Sequence, residues 1–232
     1  MGARPEGSEL AAFVREKFAA ISPRYDLLNT VLSLGIDASW RRAVARELPV
    51  AHYPVVLDVC AGTLPLAREL MKAEGRQVIA LDFCRAMLAE GRERSKRPMP
   101  LVCADGQVLP LREAAVDAAT VAFGVRNLAR PELGLAEMQR VLRPGGRAVV
   151  LEFSRPKNPL FSPLYRFYLT RILPFVGGMI SGDREAYGYL ASSIGRFMEP
   201  PELAGLMRRA GFASVRYRPL SMGIVTLYVG DK

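Results

Sequence analysis

Short apolar strands alternate with helices from residue 55 to residue 153, and this alternation limits the possible folds more than any other feature of the chain. The predicted strands are Val55–Val59, Gln77–Leu81, Leu101–Ala104, Val116–Phe123 and Arg147–Phe153. The predicted helices between them are Leu66–Ala73, Arg85–Ser95 and Pro131–Leu142. Strands joined through helices predict βαβ units, whose right-handed crossovers build a parallel α/β sheet with helices on both faces.

Further helices are predicted on both sides of this alternating region. The apolar spacing predicts two N-terminal helices, over Glu9–Ala20 and over Asp26–Leu48 with a break near Ser33–Gly35, which form a helical cap within residues 1–50. Residues 155–200 are predicted to form a second helical part, a lid over the substrate site. Its segments are an apolar stretch, Leu160–Ser181, and a helix near Asp183–Arg196, and a further helix is predicted after it at Pro201–Ala210.

Two last strands, Phe212–Leu220 and Gly223–Val229, are predicted to close the sheet as an antiparallel pair at its edge. The length of 232 residues suits one α/β domain with a full core, so the whole chain, residues 1–232, is expected to be a single domain.

Composition narrows the classes of function. The net charge is +9, but the basic residues are scattered and no zinc-finger or RNA-binding pattern is present, so we expect no nucleic-acid partner. Attraction to an anionic membrane surface stays open. Three cysteines without a C-x-x-C pair suit a reducing compartment, and a single histidine, His52, predicts no metal site.

The N-terminal segment has no apolar core of a secretory signal, and no run of 18 apolar residues predicts a transmembrane helix. We therefore expect a cytoplasmic protein. The sequence leaves open whether the chain forms a homodimer and whether it contacts the inner face of the membrane peripherally.

Three carboxylates come at the ends of the first three strands. Asp58 precedes the loop Cys60-Ala61-Gly62-Thr63, Asp82 ends the second strand, and Asp105 follows the third. Ligands of open α/β sheets bind at the carboxyl ends of the strands, where an acid after the second strand can accept both ribose hydroxyls. An acid after the third strand can accept from an adenine amine. The P-loop pattern G-x-x-x-x-G-K-[ST] does not occur, and a cofactor without phosphate would not require one.

Several segments resemble the class I S-adenosylmethionine (SAM)-dependent methyltransferases, and more narrowly the ubiquinone/menaquinone biosynthesis C-methyltransferase family. The resemblance covers about Phe18 to Gly230. Its narrowest parts are the opening signature from Phe18 to Asn29, Leu32–Ile36 with Trp40-Arg41, and Phe123-Gly-Val-Arg-Asn127. Less specific or later parts are Glu137–Gly146, Leu151–Ser154 and the run Gly182-Asp183, Tyr187, Tyr189-Leu190, Ser193-Ile194.

The resemblance implies a Rossmann-like sheet of seven strands with the last one antiparallel. It implies binding of SAM, with S-adenosylhomocysteine as product, by Asp58, Gly62, Thr63, Asp82, Phe83, Asp105, Gly106 and Phe123. It further implies methylation of a ring carbon of a prenylated quinol bound near Tyr25, Asn29, Arg126, Tyr165 and Tyr187, with Arg126 and Asn127 as catalytic residues. Arginine is a poor base, so Arg126 is expected to stabilise negative charge on the quinol oxygen.

The first loop departs from the family pattern Asp-x-Gly/Ala-x-Gly-Thr-Gly-Asp. Leu64 stands in place of a glycine and Pro65 in place of an acid. A leucine there could crowd the cofactor, and a positive φ would cost it about 1 kcal/mol or more. A catalytically silent homologue that binds quinone intermediates or partner enzymes is therefore the alternative function. A nicotinamide-linked dehydrogenase would need G-x-G-x-x-G after the first strand, which is missing.

The apolar stretch after the fifth strand, Leu160–Ser181, is interrupted by Arg166 and Arg171. An amphipathic helix here could rest on the bilayer interface, with the arginines on lipid headgroups and an exit for a hydrocarbon tail. The alternatives are a lid helix packed on the domain and a dimer contact.

Overall fold

The computed structural model describes Glu16, Ala19, Ser22 and the ranges 25–181 and 184–232. Its helices are α1 (Tyr25–Leu32), α2 (Asp37–Arg46), α3 (Pro65–Leu70), α4 (Arg85–Arg94), α5 (Pro131–Val141), α6 (Phe161–Phe167), α7 (Leu173–Ser181), α8 (Arg184–Arg196) and α9 (Pro200–Arg209). Its strands are β1 (Val55–Val59), β2 (Gln77–Asp82), β3 (Leu101–Cys103), β4 (Val116–Ala122), β5 (Leu142–Phe153), β6 (Ser214–Leu220) and β7 (Val225–Asp231). The predicted helix Glu9–Ala20 falls largely outside the described residues.

The seven strands form one sheet in the order β3-β2-β1-β4-β5-β7-β6. Strands β1 to β5 pair in parallel, whereas β7 is antiparallel to both β5 and β6. This confirms the predicted mostly parallel sheet with an antiparallel last strand. Within the predicted pair, β7 lies inside the sheet against β5 and is buried almost throughout, while β6 forms the edge.

The parallel strands are buried on both faces because helices cover both. Neighbouring residues of β5 alternate between two core clusters: Val149 and Leu151 pack with α2 and α3, and Ala148 and Val150 pack with α5 and α9. A strand segment buried on both faces must be apolar at almost every position, which is why most of β1 and the part of β5 from Ala148 to Leu151 are apolar. The predicted helices on both faces are confirmed.

A third cluster joins the N-terminal helix to the later helices. Leu28 of α1 packs against Tyr165, Leu169 and Leu173 of the α6–α7 segment and Ile194 of α8. The Tyr168 hydroxyl donates to the Leu32 carbonyl, so α1 and the α6–α7 segment are also joined by a hydrogen bond at 2.5 Å. We call α1 and α6–α8 together the cap. Among the described residues, no helix is both long and apolar enough to cross a bilayer.

Candidate active site

Two cavities open at the carboxyl ends of the strands. The acidic cleft is lined mainly by the loops after β2, β3 and β4, including Asp82, Phe83, Asp105, Gly106 and Asn127. The apolar cavity, of about 440 Å³, lies between the sheet and the cap. Four residues line both cavities, namely Cys60, Gly62, Ala122 and Phe123. The cavities therefore share a wall.

Asp82 connects the loops after β1 and β2. Its carboxylate accepts hydrogen bonds from the backbone N–H of Gly62 at 2.8 Å and of Cys84 at 2.8 Å. Burial raises the pKa of Asp82 to about 6, against the lowering effect of these two hydrogen bonds. The carboxylate thus sits in the wall of the acidic cleft, held by the backbone on both sides. Asp105 lies at the same cleft but is exposed, and it accepts from the backbone and side-chain N–H groups of Gln107.

Asp58 is fully enclosed at the end of β1 and lines the apolar cavity. One carboxylate oxygen, Oδ1, accepts from the Thr120 hydroxyl at 2.7 Å, and the other, Oδ2, is buried and accepts no hydrogen bond of normal geometry from the part of the chain that the structure describes. Burial raises the pKa of Asp58 to about 7, and the nearby Asp82 adds to this rise. An acceptor oxygen buried without a partner is costly, which marks this position as prepared for a cationic or hydrogen-bonding ligand.

The loop after β1 has three residues in the left-handed region: Cys60 at φ 55°, Gly62 at φ 55° and Leu64 at φ 66°. Leu64 thus has the positive φ that is unfavourable for a leucine. Its side chain, however, is fully buried in the core against Gly91 of α4, where even a methyl group on Gly91 would come within 2.5 Å of Leu64 Cγ. Leu64 lines neither cavity, so the expectation that it crowds the cofactor is wrong.

Pro65 is the first residue of α3, the position where the lack of an N–H costs nothing. It lines the apolar cavity. The replacement of an acid by proline therefore makes this wall more apolar without disturbing the helix.

Thr63 was predicted as a cofactor ligand, and its side chain is bonded to another part of the protein. The residue is fully buried and lines neither cavity. Its hydroxyl instead donates to the carboxylate of Asp26 on α1. The hydroxyl is used to attach the N-terminal helix to the loop, so it is not directed at the cleft.

Arg126 lies in a short 3₁₀ turn, Val125–Asn127, and lines the apolar cavity. Its guanidinium pairs with the fully buried Glu152 at 2.7 Å, donates to the Phe123 carbonyl and lies 5.2 Å from the ring centre of Phe153. The Glu152 carboxylate also accepts from the Arg126 and Phe153 backbone N–H groups. The charge of Arg126 is therefore already balanced and its orientation is fixed by the protein.

Asn127, predicted with Arg126 as a catalytic residue, points elsewhere. It lines the acidic cleft and not the apolar cavity. Its side-chain oxygen accepts from the hydroxyl of Tyr189 on α8 at 3.3 Å, and Tyr189 lines the apolar cavity. This hydrogen bond joins α8 of the cap to the acidic cleft. A positioning role for Asn127 fits this contact better than a chemical role.

Three aromatic rings form one side of the apolar cavity. Phe123 packs against Phe153 with ring centres 4.4 Å apart, and the Trp40 ring lies edge-on to both at 5.9 and 6.3 Å. The Trp40 indole N–H donates to the Ser221 hydroxyl at 2.8 Å, which fixes the ring. Phe123 has φ 60° and lies in the shared wall, so this aromatic surface reaches the acidic cleft. Such a surface suits a flat aromatic ligand.

Of the other predicted substrate residues, Asn29 and Tyr165 line the apolar cavity, as does Arg126. The side chains of Tyr25 and Tyr187 lie outside the described part of the chain. Of the predicted cofactor residues, Gly62, Phe83, Gly106 and Phe123 line the acidic cleft together with Asp82 and Asp105, while Asp58 faces the apolar cavity.

Sequence reasoning missed three residues that shape this site: Asp26, Trp40 and Glu152. All three stand inside the family-like segments, yet nothing in the local pattern shows their partners. Each is separated from its partner in sequence, Glu152 from Arg126 by 26 positions and Trp40 from Ser221 by 181. A buried acid at the end of an apolar strand was the one available signal for Glu152, since such an acid needs a cation.

Comparison with known proteins agrees with this geometry. Residues 7–232 match the ubiE/COQ5 methyltransferase family. A demethylmenaquinone methyltransferase of Deinococcus radiodurans is 47% identical over 94% of this chain and 92% of its own length. The ubiquinone/menaquinone biosynthesis C-methyltransferase UbiE of Syntrophotalea carbinolica is 45% identical over 93% of this chain and 92% of its own length.

Solved structures show the same fold at low identity. A SAM-dependent methyltransferase of Thermotoga maritima has a TM-score of 0.70 at 20% identity, covering 94% of this chain and 99% of that one. Human N-acetylserotonin methyltransferase in complex with SAM has a TM-score of 0.61 at 17% identity, covering 90% and 55%. The match to the family over nearly the whole chain, with relatives near 45% identity, shows that this protein belongs to the ubiE/COQ5 family of SAM-dependent methyltransferases.

Proposed function

We propose that this protein methylates a ring carbon of a prenylated quinol of the demethylmenaquinol type. The observation that carries the proposal is the wall shared by the acidic cleft and the apolar cavity, formed by Cys60, Gly62, Ala122 and Phe123. A polar cofactor and an apolar ring bound on either side of this wall would meet there. Holding two reactants in contact is itself a large part of catalysis.

The residues present fit SAM. Asp82 offers a carboxylate beside the acidic cleft for the ribose hydroxyls, and Asp105 and Phe83 lie where an adenine would bind. The buried Oδ2 of Asp58, which accepts no hydrogen bond of normal geometry from the described residues, suits the positive charge of the methionine part. With Pro65 in place of an acid, Asp58 is the carboxylate that this part of the loop offers. Bound SAM supplies an electrophilic methyl group on a positively charged sulfur.

The apolar cavity fits the quinol ring. Trp40, Phe123 and Phe153 provide an aromatic surface, and Arg126 presents N–H donors beside it. The buried pairing with Glu152 holds the guanidinium in one orientation, so it can donate to a quinol oxygen without reorganising. Negative charge on that oxygen makes the neighbouring ring carbon a better nucleophile. The surrounding apolar residues exclude water, which strengthens this interaction.

The mouth of the apolar cavity suits a long hydrocarbon tail. Four residues line the cavity and are also exposed at its rim: Leu34 (86%), Ile36 (40%), Leu164 (64%) and Ile172 (40%). A tail could leave the cavity between these apolar side chains. This rim comes from both α1–α2 and the α6–α7 segment, so the exit lies within the cap.

The same rim suits the surface of an anionic bilayer. Exposed Phe167, Phe175 and Met179 extend it along the α6–α7 segment, with exposed Arg166 and Arg171 beside them. Apolar side chains can enter the interface while arginines pair with lipid phosphates. We therefore place the protein at the inner face of the cytoplasmic membrane, with its cavity mouth towards the lipid.

Methyl transfer is tested with labelled SAM and two quinols, demethylmenaquinol and a benzoquinol with the same tail. We expect label in the quinol fraction with the naphthoquinol, and a large loss of turnover in Arg126→Met. Glu132→Gln, which removes an exposed acid of a surface ion pair, serves as the control and should keep full activity. Quinone binding without any methyl transfer would contradict the proposal and support the catalytically silent alternative.

Membrane contact is tested by sedimentation with vesicles containing anionic phospholipid. Leu164→Ser combined with Phe175→Ser should lose most of the binding, and Arg166→Gln with Arg171→Gln should lose its salt-sensitive part. Val108→Ser is the matched control, because Val108 is equally exposed (71%) but belongs to the loop after β3. Equal binding by all variants would exclude the rim as the contact surface.

A further inference from the structure

One carboxylate on α1 holds the loop after β1 in place. Asp26 Oδ1 accepts from the Thr63 hydroxyl, and Oδ2 accepts from Arg68 Nη2 at 2.9 Å. Arg94 of α4 approaches the same Oδ2 at 3.1 Å. Arg68 also donates from Nη1 to the Thr63 carbonyl at 2.8 Å, so it contacts both Asp26 on α1 and Thr63 in the loop after β1.

These groups are partly shielded from solvent, since the side chains of Asp26, Arg68 and Arg94 are 24–30% exposed. A carboxylate with three charge-assisted partners in such a place is held in a single geometry. The link that Asp26 makes between α1 and the loop after β1 is therefore more rigid than an ordinary surface ion pair.

The two elements joined by Asp26 serve different cavities. On the loop side, Thr63 follows Gly62, which lines both cavities and donates to Asp82. On the cap side, α1 contributes Asn29 and Leu32 to the wall of the apolar cavity. Leu28, next to Asn29, is fully buried in the cap cluster. Movement of the loop by a ligand would thus be passed directly to the wall that contacts the other ligand.

We propose that Asp26 is a positioning residue that couples occupation of the cofactor site to the placement of α1 against the substrate. A ligand that presses on Gly62 and Asp82 fixes the Thr63 hydroxyl and carbonyl. Those groups then fix Asp26, directly and through Arg68. Helix α1, and with it one wall of the quinol site, is ordered as a result. The inference rests on the proposed cofactor but does not require that the substrate be a quinol.

The test is hydrogen exchange of residues 25–32 in the full-length protein, with and without saturating S-adenosylhomocysteine. In the wild type, the ligand should slow exchange of α1 about tenfold, since opening of α1 would break charge-assisted hydrogen bonds. In Asp26→Asn this ligand-dependent slowing should fall below about twofold, while calorimetry still detects ligand binding. Glu69→Gln is the matched control: it removes a carboxylate from α3 whose partner is Lys72, and it should behave as the wild type.

Thr63→Val provides a second variant in case Asp26→Asn folds poorly, because it removes the same hydrogen bond from the loop side at nearly constant volume. It should lose the ligand effect on α1 as Asp26→Asn does. In turnover assays both variants should raise the KM for the second substrate about tenfold with a smaller change in kcat. Ligand-dependent slowing that persists unchanged in both variants, or that is absent from the wild type although the ligand binds, would overturn the proposal. Failure of the ligand to bind the wild type would instead refute the proposed function.

Discussion

The two cavities share a wall but are built differently. The acidic cleft comes from successive loops of the sheet, with its lining residues confined to residues 60–129. The apolar cavity is assembled from distant parts of the chain, with lining residues from Asn29 to Ile224. The first depends on local turns fixed to strand ends. The second exists only once the cap has packed on the sheet.

Their charges differ as well. The acidic cleft has two carboxylates, the buried Asp82, whose pKa burial raises to about 6, and the exposed Asp105. The apolar cavity has Asp58, whose pKa burial raises to about 7, and Arg126, whose charge is balanced by Glu152. Under the proposed function, Asp58 would meet the positive charge of the cofactor, and Arg126 would meet the negative charge that a neutral ring gains during reaction. Electrostatic preparation of this kind lowers the barrier without reorganisation.

The largest effect is expected from breaking the charge balance in the apolar cavity. Glu152→Gln leaves the Arg126 guanidinium buried without its counter-ion, which should destabilise the fold by about 3–5 kcal/mol in urea unfolding. Glu132→Gln removes an acid from an exposed pair and should change stability by less than about 0.5 kcal/mol. A loss below about 1 kcal/mol in Glu152→Gln would mean that the cavity tolerates net charge.

The next effect concerns the cleft. Asp82→Asn should weaken SAM binding by about 2–3 kcal/mol, measured by calorimetry, because a charged acceptor that is held by two backbone N–H groups is lost. Asp105→Asn, at an exposed position of the same cleft, should cost less than about 1 kcal/mol. Equal losses would show that burial does not distinguish the two acids.

The ionised carboxylate of Asp58 should strengthen SAM binding but lower the stability of the free protein. Because the pKa of Asp58 is raised in the folded state, the folded protein binds this proton more tightly than the unfolded chain does. The free energy of unfolding that the bound proton contributes is therefore lost as pH rises from about 4 to about 7. Asp58→Asn should therefore stabilise the free protein by about 1–3 kcal/mol at pH 8. Binding of cationic SAM needs the carboxylate, so wild-type affinity should rise from pH 6 to pH 8. A flat pH profile of affinity in the wild type would argue against Asp58 as the partner of that cation.

The smallest effect on substrate binding is expected where the cap contacts the acidic cleft. Tyr189→Phe removes the hydroxyl that donates to Asn127 and should cost about 0.5–1.5 kcal/mol, seen as a threefold to tenfold rise in the quinol KM. SAM affinity without quinol should change less. If SAM affinity fell more than the quinol KM rose, the bond would belong to the cleft alone.

The difference in construction explains what could be predicted from sequence. Strand ends mark the cleft, so Asp58, Asp82, Asp105 and Gly62 could be placed from apolar runs and the residues that follow them. The cap could be predicted as helices, but its contacts could not, since packing across long sequence separations leaves no periodic pattern.

Two loop residues show the limit most clearly. The place of Leu64 in a glycine pattern raised the question of a positive φ, but the direction of its side chain depended on Gly91, a residue of α4. Thr63 likewise matched a ligand pattern, and only the structure shows that its hydroxyl is already bonded to Asp26. In both cases a residue distant in sequence determines whether the side chain points towards the cavities or into the protein.

The position of β7 has a consequence for biosynthesis. This strand pairs with β5 on one side and β6 on the other, although both are translated before it. While the ribosome is still making it, the exposed edge of β5 has no native neighbour, and β6 has nothing to pair with. Until β7 pairs with β5, the nascent chain exposes an unpaired strand edge with which other chains can pair. Chaperone dependence of this protein should therefore be concentrated in the interval between the synthesis of β5 and the pairing of β7.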